Sequence, residues 1–263
     1  MEKILNQNVK EVLKQYPALE KVLGDFGIGC VTCALGSCML KDIVEVHNLG
    51  PEQETRLMSS IAEIVYPGEK VEVPAIKRTI GRKPHNAPLS PPIHRLVEEH
   101  MVIKRFLSLI PKLLADFNIQ SAESKSLIRE GIGFIRNFAD AFHHAKEEKV
   151  LFGFFDQNSE IIISFLKEHI SGRSHVSAIE AGLISGNEKL VRENLSAYAD
   201  LLFEHIKKED EILYPWMDRS LTDTQVGQLF AKFTQIDNEF KASQEKYTTF
   251  VADLEKRFQK KHG

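Results

Sequence analysis

The chain is 263 residues long, with 34 Lys and Arg against 37 Asp and Glu for a formal net charge of -3 and an isoelectric point near 6.4. That length buries one good core or two modest ones, and the balance of charge excludes the basic footprint needed for nucleic acid or an anionic membrane. Charges run through the opening "MEKILNQNVKEVLKQYP", and no stretch approaches the roughly 18 unbroken apolar residues of a membrane span, which predicts a soluble, cytoplasmic protein.

Residues 1–66 read as a small helical domain, with helices expected over Val9 to Phe26, Leu40 to Asn48 and Pro51 to Ile64. Between the first two, "FGIGCVTCALGSCML" holds all three cysteines. They are too few and too close together for a disulfide framework, which fits a reducing compartment. Cys30 and Cys33 stand at C-x-x-C spacing with Cys38 beyond them, among Gly27, Gly29 and Gly36. Glycines let backbone amides approach sulfurs, and the spacing suits redox dithiols, zinc or an iron-sulfur cluster. A four-cysteine site is one ligand short, so a cluster needs His47, a small molecule or another chain. Thiols in a helix-capping loop, with no cofactor, fit the stretch equally well.

From Tyr66 to Pro92 the chain carries six of its ten prolines and little apolar periodicity, so residues 67–92 read as a linker. Residues 93–263 follow as an all-helical bundle, with helices near 93–116, 121–156, 160–184, 188–215 and 222–260 and no strand alternation.

At about 100° per residue, the apolar stripe of the first bundle helix, Ile93, Leu96, Ile103, Leu107 and Ile110, encloses His100 and leaves His94 outside. In the second, Ile128, Ile132, Ile135, Ala139 and Phe142 bring His143 and Glu147 to the stripe's edge, with His144 and Glu148 turned outward. In the third, Ile162, Phe165, Leu166 and Val176 enclose His169, with His175 off the stripe; in the fourth, Leu195, Tyr198, Leu202, Ile212 and Leu213 flank His205 and Glu209. Four helices thus each aim a histidine inward, and two add a carboxylate one turn later. A lone inward histidine is an ordinary core residue, and an i, i+4 His and Glu pair is usually a surface interaction. Their coincidence is different, because two buried glutamates are costly without a counter-charge. A pair of metal ions supplies one, and six imidazole and carboxylate ligands suffice for two irons with positions left open. The spacing differs from the Glu-x-x-His motif of ferritin-like carboxylate proteins.

"LVEEHMVIKRFL", "FHHAKEEKVLF", "FLKEHISGR" and "FEHIKKEDEILYP" give the stretch from about Ile93 to Glu255 a resemblance to the hemerythrin-like, HHE cation-binding, domain. The resemblance implies an up-and-down four-helix bundle around an oxo- or hydroxo-bridged pair of non-haem irons, with His100, His143, Glu147, His169, His205 and Glu209 as ligands. Oxygen-carrying hemerythrins have a second histidine four residues after the third-helix ligand. Here that position is Arg173, which implies an open coordination site and a function other than simple oxygen carriage. Arg173 falls on the inward stripe, placed either to hold an anion or a carboxylate near the metal or to lay its stem on the core with its head in water. Tyr198 faces the same way as His205, as core or as a hydrogen-bond donor to a metal-bound species. "VKEVLKQYPALEKVLGDFGIGC" resembles the cysteine-bearing domain of the repair-of-iron-centres family, though that family's "CCGG" is absent.

Three functions remain open. One is a redox di-iron protein handling nitric oxide, oxygen or peroxide, in nitrosative or oxidative stress defence or iron-sulfur repair, with a redox or iron-sulfur protein as partner. Another is an oxygen, redox or iron sensor signalling through the N-terminal domain. The last is a metal-free helical interaction protein. The sequence leaves monomer and homodimer open, and it implies no nucleic-acid or membrane partner.

Overall fold

The structure, a computed structural model, describes residues 1–28, 39–47, 49–69, 71 and 88–262. Cys30, Cys33 and Cys38, and much of the proline-rich stretch, lie outside the described residues. Among the described residues the regular elements are all helical, so the fold is the all-α bundle that the periodicity predicts. No described helix is long and apolar enough to cross a membrane. The chain divides into two compact units.

The first unit comprises Met1–Pro88 with Asn158–Ser164 and Glu211–Ser220. Its N-terminal helices are α1 (Glu2–Leu5), α2 (Val9–Gln15), α3 (Leu19–Asp25), α4 (Ile43–Val46) and α5 (Pro51–Val65). The single helix expected from Val9 to Phe26 is instead two. Pro17 disfavours helical geometry in the residue before it, and Tyr16 sits at φ -131° and ψ 75°. Asn8 starts α2 by accepting the Lys10 N–H at 2.9 Å. Val9, Val12, Leu19, Leu23, Leu57, Met58 and Ile61 join the buried cluster of this unit.

The second unit comprises Leu89–Gln157, Phe165–Asp210 and Leu221–Gly263. Its first helix, α6 (Pro91–Ala115), opens on two prolines, whose missing N–H groups cost nothing in a first turn. The next, α7 (Ala122–Phe134), is capped by Ser121, which accepts the Ser124 N–H. It runs on as π-helix over Ile135–His144 and again over Glu147–Leu151. Then come α8 (Glu160–Ser185), whose first residues belong to the first unit, and α9 (Glu188–Lys208), followed along the chain by a π turn, Glu209–Leu213, and by α10 (Tyr214–Ser220), which belongs to the first unit, and last α11 (Asp223–His262). Gly186, at φ +72°, ends α8 in the left-handed conformation that glycine adopts without penalty, and Asn187 caps α9 through the Leu190 N–H.

α6 packs against α9 and α11, and α11 also covers the first π segment. The core draws Ile103, Phe106, Leu107 and Ile110 from α6, Leu195 and Leu202 from α9, and Val251 and Leu254 from α11. Phe134, Phe138 and Phe142 add an aromatic row with centroids 5.2 and 5.6 Å apart. This core holds the inward faces of the four histidine-bearing helices at a fixed spacing.

Candidate metal centre

His100 on α6, His143 and Glu147 on the π-helical continuation of α7, His169 on α8, and His205 and Glu209 at the end of α9 are all buried. Their polar atoms converge. Glu209 sets one oxygen 3.3 Å from His100 Nε2 and the other 3.1 Å from His205 Nε2. Glu147 Oε2 stands 3.8 Å from His143 Nε2 and 3.6 Å from His169 Nε2. His169 and His205 face each other, Nε2 to Nε2, at 2.9 Å. Two overlapping sides emerge, one of His100 and His143 and one of His169 and His205, and each glutamate reaches toward both.

His144 does not turn outward, as 3.6-residue periodicity predicts. It is buried, its ring stacked on that of His169 at 3.9 Å between centroids, and it forms a potential ligand group with His169 and His205. The cause is local: a helix closing i→i+5 hydrogen bonds turns less per residue than an α-helix. Over Ile135–His144 the wider turns bring neighbours His143 and His144 onto the inward side together. Glu148 is likewise turned toward the bundle, where it accepts from His169 Nδ1 at 2.7 Å.

Around these residues runs a closed ring of acids. Glu99 on α6 accepts from His143 Nδ1 at 2.9 Å, and Glu148 on the next helix accepts from His169. Glu168 on α8 accepts from His205 Nδ1 at 2.7 Å, and Asp210 beyond α9 returns to His100 Nδ1 at 2.7 Å. Each acid is also gripped by a base three or four residues after the histidine it serves: Lys146 for Glu99, Arg173 for Glu148, Lys208 for Glu168 and Lys104 for Asp210. An Nδ1–H held by a carboxylate fixes the tautomer and directs Nε2 as a ligand, the outer arrangement typical of metal-binding histidines.

The inner atoms fit a metal. Two nitrogens bound in cis positions to one ion at about 2.1 Å stand about 3.0 Å apart, close to the 2.9 Å between His169 and His205. His143 Nε2 and both Glu209 oxygens are buried without a hydrogen bond, an expensive condition that a cation relieves. The protonation balance agrees. Burial pulls His205 down, but Glu209 and Glu168 reverse this and raise it to about 9. Burial and the neighbouring His144 take His169 down to about 3, against the pull of Glu148. Facing imidazoles are thus driven to opposite charge states, as two nitrogens sharing one proton must be; a cation in the proton's place makes both neutral ligands.

A cavity of about 220 Å3 opens beside the His169 and His205 side, walled by Val176, Leu202, Tyr198, Arg173 and His144. Arg173 donates to Asp140 Oδ1 at 2.8 Å and to Glu148 Oε1 at 2.7 Å, so its head pairs with carboxylates. Tyr198 is buried on the cavity wall. Cys30, Cys33 and Cys38 lie outside the described residues. Sequence reasoning missed His144 and the whole acid ring. A signal for the ring exists in hindsight, a base three or four residues after each inward histidine in "HMVIK", "HHAK", "HISGR" and "HIKK".

Residues 91–217 match the family model described as Hemerythrin HHE cation binding domain. No curated protein and no solved structure matches the chain.

Proposed function

We propose that the second unit is a non-haem di-iron centre that reacts with nitric oxide, oxygen or peroxide, in defence against nitrosative or oxidative stress or in repair of iron-sulfur centres. The acid ring carries this reading: each of four inward histidines has its Nδ1 held by an acid from a neighbouring helix while Nε2 points to a common buried centre. His100 and His143 would hold one ion, His169 and His205 the other, and Glu147 and Glu209 would span the two. Iron bound there supplies one-electron redox chemistry and a Lewis acid.

The chain's own groups decide what reaches that centre. The cavity has room for a molecule of a few heavy atoms, and the pairing of Arg173 with Asp140 and Glu148 favours an uncharged one. Burial, with Asp140, pushes the Tyr198 phenol well above its ordinary range, so it keeps its proton and can donate a hydrogen bond into the cavity. The cysteines Cys30, Cys33 and Cys38 would supply electrons, iron or a docking point for a redox or iron-sulfur partner.

Iron and acid-labile sulfide per chain, measured on anaerobically purified protein, test the reading. About two irons without sulfide are expected, with an absorption spectrum that changes on adding nitric oxide, oxygen or peroxide separately. A chain that takes up no metal, even after reconstitution, overturns it. A loaded protein whose structure responds to a ligand without turnover is instead a sensor.

A further inference from the structure

We propose that the cavity beside the His169 and His205 side is a binding chamber for an uncharged organic molecule about the size of a substituted benzene ring, apolar along its body and carrying one hydrogen-bond acceptor, a hydroxyl or carbonyl oxygen. Binding in the chamber needs no metal; the place of the bound molecule as substrate rests on the metal-centre reading.

Size and charge define the class. A closed apolar cavity of about 150 Å3 admits benzene, and this one measures about 220 Å3, so it holds roughly six to eight heavy atoms. A diatomic fills only a fraction of it. The charged groups that line it are already paired: Arg136 donates to Glu180, Arg173 to Asp140 and Glu148, and Glu168 holds His205 and Lys208. A charged guest must break one of these pairs or enter uncompensated, which is costly away from water. An uncharged one does neither.

The wall fixes the pattern of the guest. Ile135, Val176, Leu202 and the Tyr198 ring offer it apolar surface. Tyr198 is 2% exposed and lines the cavity, and among the described residues no group hydrogen-bonds its hydroxyl. A buried hydroxyl without a partner is unfavourable, and an acceptor on the bound molecule satisfies it.

Gly172 supplies the third observation. It is buried within α8 and lacks a positive φ, at a kind of position where alanine makes the more stable helix. A Cβ added there would meet nothing nearer than Leu202 Cδ2 and Tyr198 Cε2, both at 3.6 Å, an ordinary van der Waals separation. Neither the backbone nor a close helix approach therefore demands glycine. A longer side chain would instead take up the chamber, which Gly172, Leu202 and Tyr198 all line.

Isothermal titration calorimetry of the full chain as purified tests the proposal, with benzyl alcohol and benzylammonium as probes of one shape and different charge. Benzyl alcohol is expected to bind at a single site with a Kd below about 1 mM, and benzylammonium at least about 10-fold more weakly. Gly172→Leu should fill the chamber and weaken benzyl alcohol at least about 10-fold. Tyr198→Phe should weaken benzyl alcohol about 5-fold and leave toluene, which has no acceptor, unchanged. Circular dichroism checks the fold, and if Gly172→Leu fails to fold, Tyr198→Phe with the probe pair decides. No saturable binding of benzyl alcohol, equal affinity for benzylammonium, unchanged binding in a folded Gly172→Leu, or a Tyr198→Phe that binds both neutral probes as wild type does overturns the proposal and leaves the metal centre standing. Metal content on the same sample separates the two readings: a chain that binds benzyl alcohol as expected yet takes up no metal, even after reconstitution, keeps the chamber and overturns the centre.

Discussion

Lys146 has no exposure to solvent, yet its ammonium lies between Glu99, at 2.5 Å, and Asp237, 3.9 Å above the centre of the Phe142 ring. Burial pushes the Glu99 carboxyl up to about 7 against the pull of Lys146. Lys146→Met removes that counter-charge and leaves Glu99 buried beside Asp237, so chemical denaturation should report a loss of about 3–5 kcal/mol. Asp210→Asn acts at the metal instead. It keeps the shape but removes the charge that holds His100 Nδ1, and chelator competition should show metal affinity about 10–100-fold weaker with the fold intact. The inward direction of His100, His143, His169 and His205 was legible because each lies on an apolar stripe of its own helix. The acids were not, because Glu99, Glu168 and Asp210 each sit next in sequence to an inward residue and serve a histidine on a different helix. No periodicity within one helix records a pairing between two.

At the level of elements, the length and order of the bundle helices were readable from apolar spacing, and the misreading of His144 has one cause. A template of 3.6 residues per turn assumes the winding it is used to detect, and Ile135–His144 winds differently. Pro17 shows the opposite case, a break announced by a residue whose chemistry forbids the helix. The start of α9 is fixed by another cross-helix device. Arg192 donates to the carbonyls of Leu114, in the last turn of α6, and of Phe117 just beyond it, while Glu188 accepts its Nε–H at 2.8 Å and the Ile119 N–H at 3.0 Å. Arg192→Ala leaves those carbonyls to water, so thermal or chemical unfolding should register a loss of about 1 kcal/mol. The Ile119 N–H and then Arg192 hold the Glu188 carboxyl below its ordinary 4.5. In such a case the unfolded chain binds the proton first on acidification, and the stabilisation present above that value is lost as pH falls through the depressed folded value. The melting temperature of wild type should therefore drop more steeply in acid than that of Glu188→Gln, and parallel acid profiles would exclude this contribution.

Over the whole molecule, the sequence showed a proline-rich break but not how the first unit is assembled. Asn158–Ser164 and Glu211–Ser220 belong with Met1–Pro88, although both lie far beyond the break. Local composition reports where a chain bends, and membership of a unit is set by contacts distant in sequence. The ring of acids has the same non-local character, and it has no free end. Each of the four helices takes part in two clamps, one through its histidine and base and one through its acid. Peeling any one helix away breaks both at once, so partial openings gain little freedom for a double loss. Backbone amides flanking the ring on all four helices should therefore exchange with deuterium at one common rate, as a single cooperative opening. A ladder of distinct rates, helix by helix, would mean that the clamps act separately.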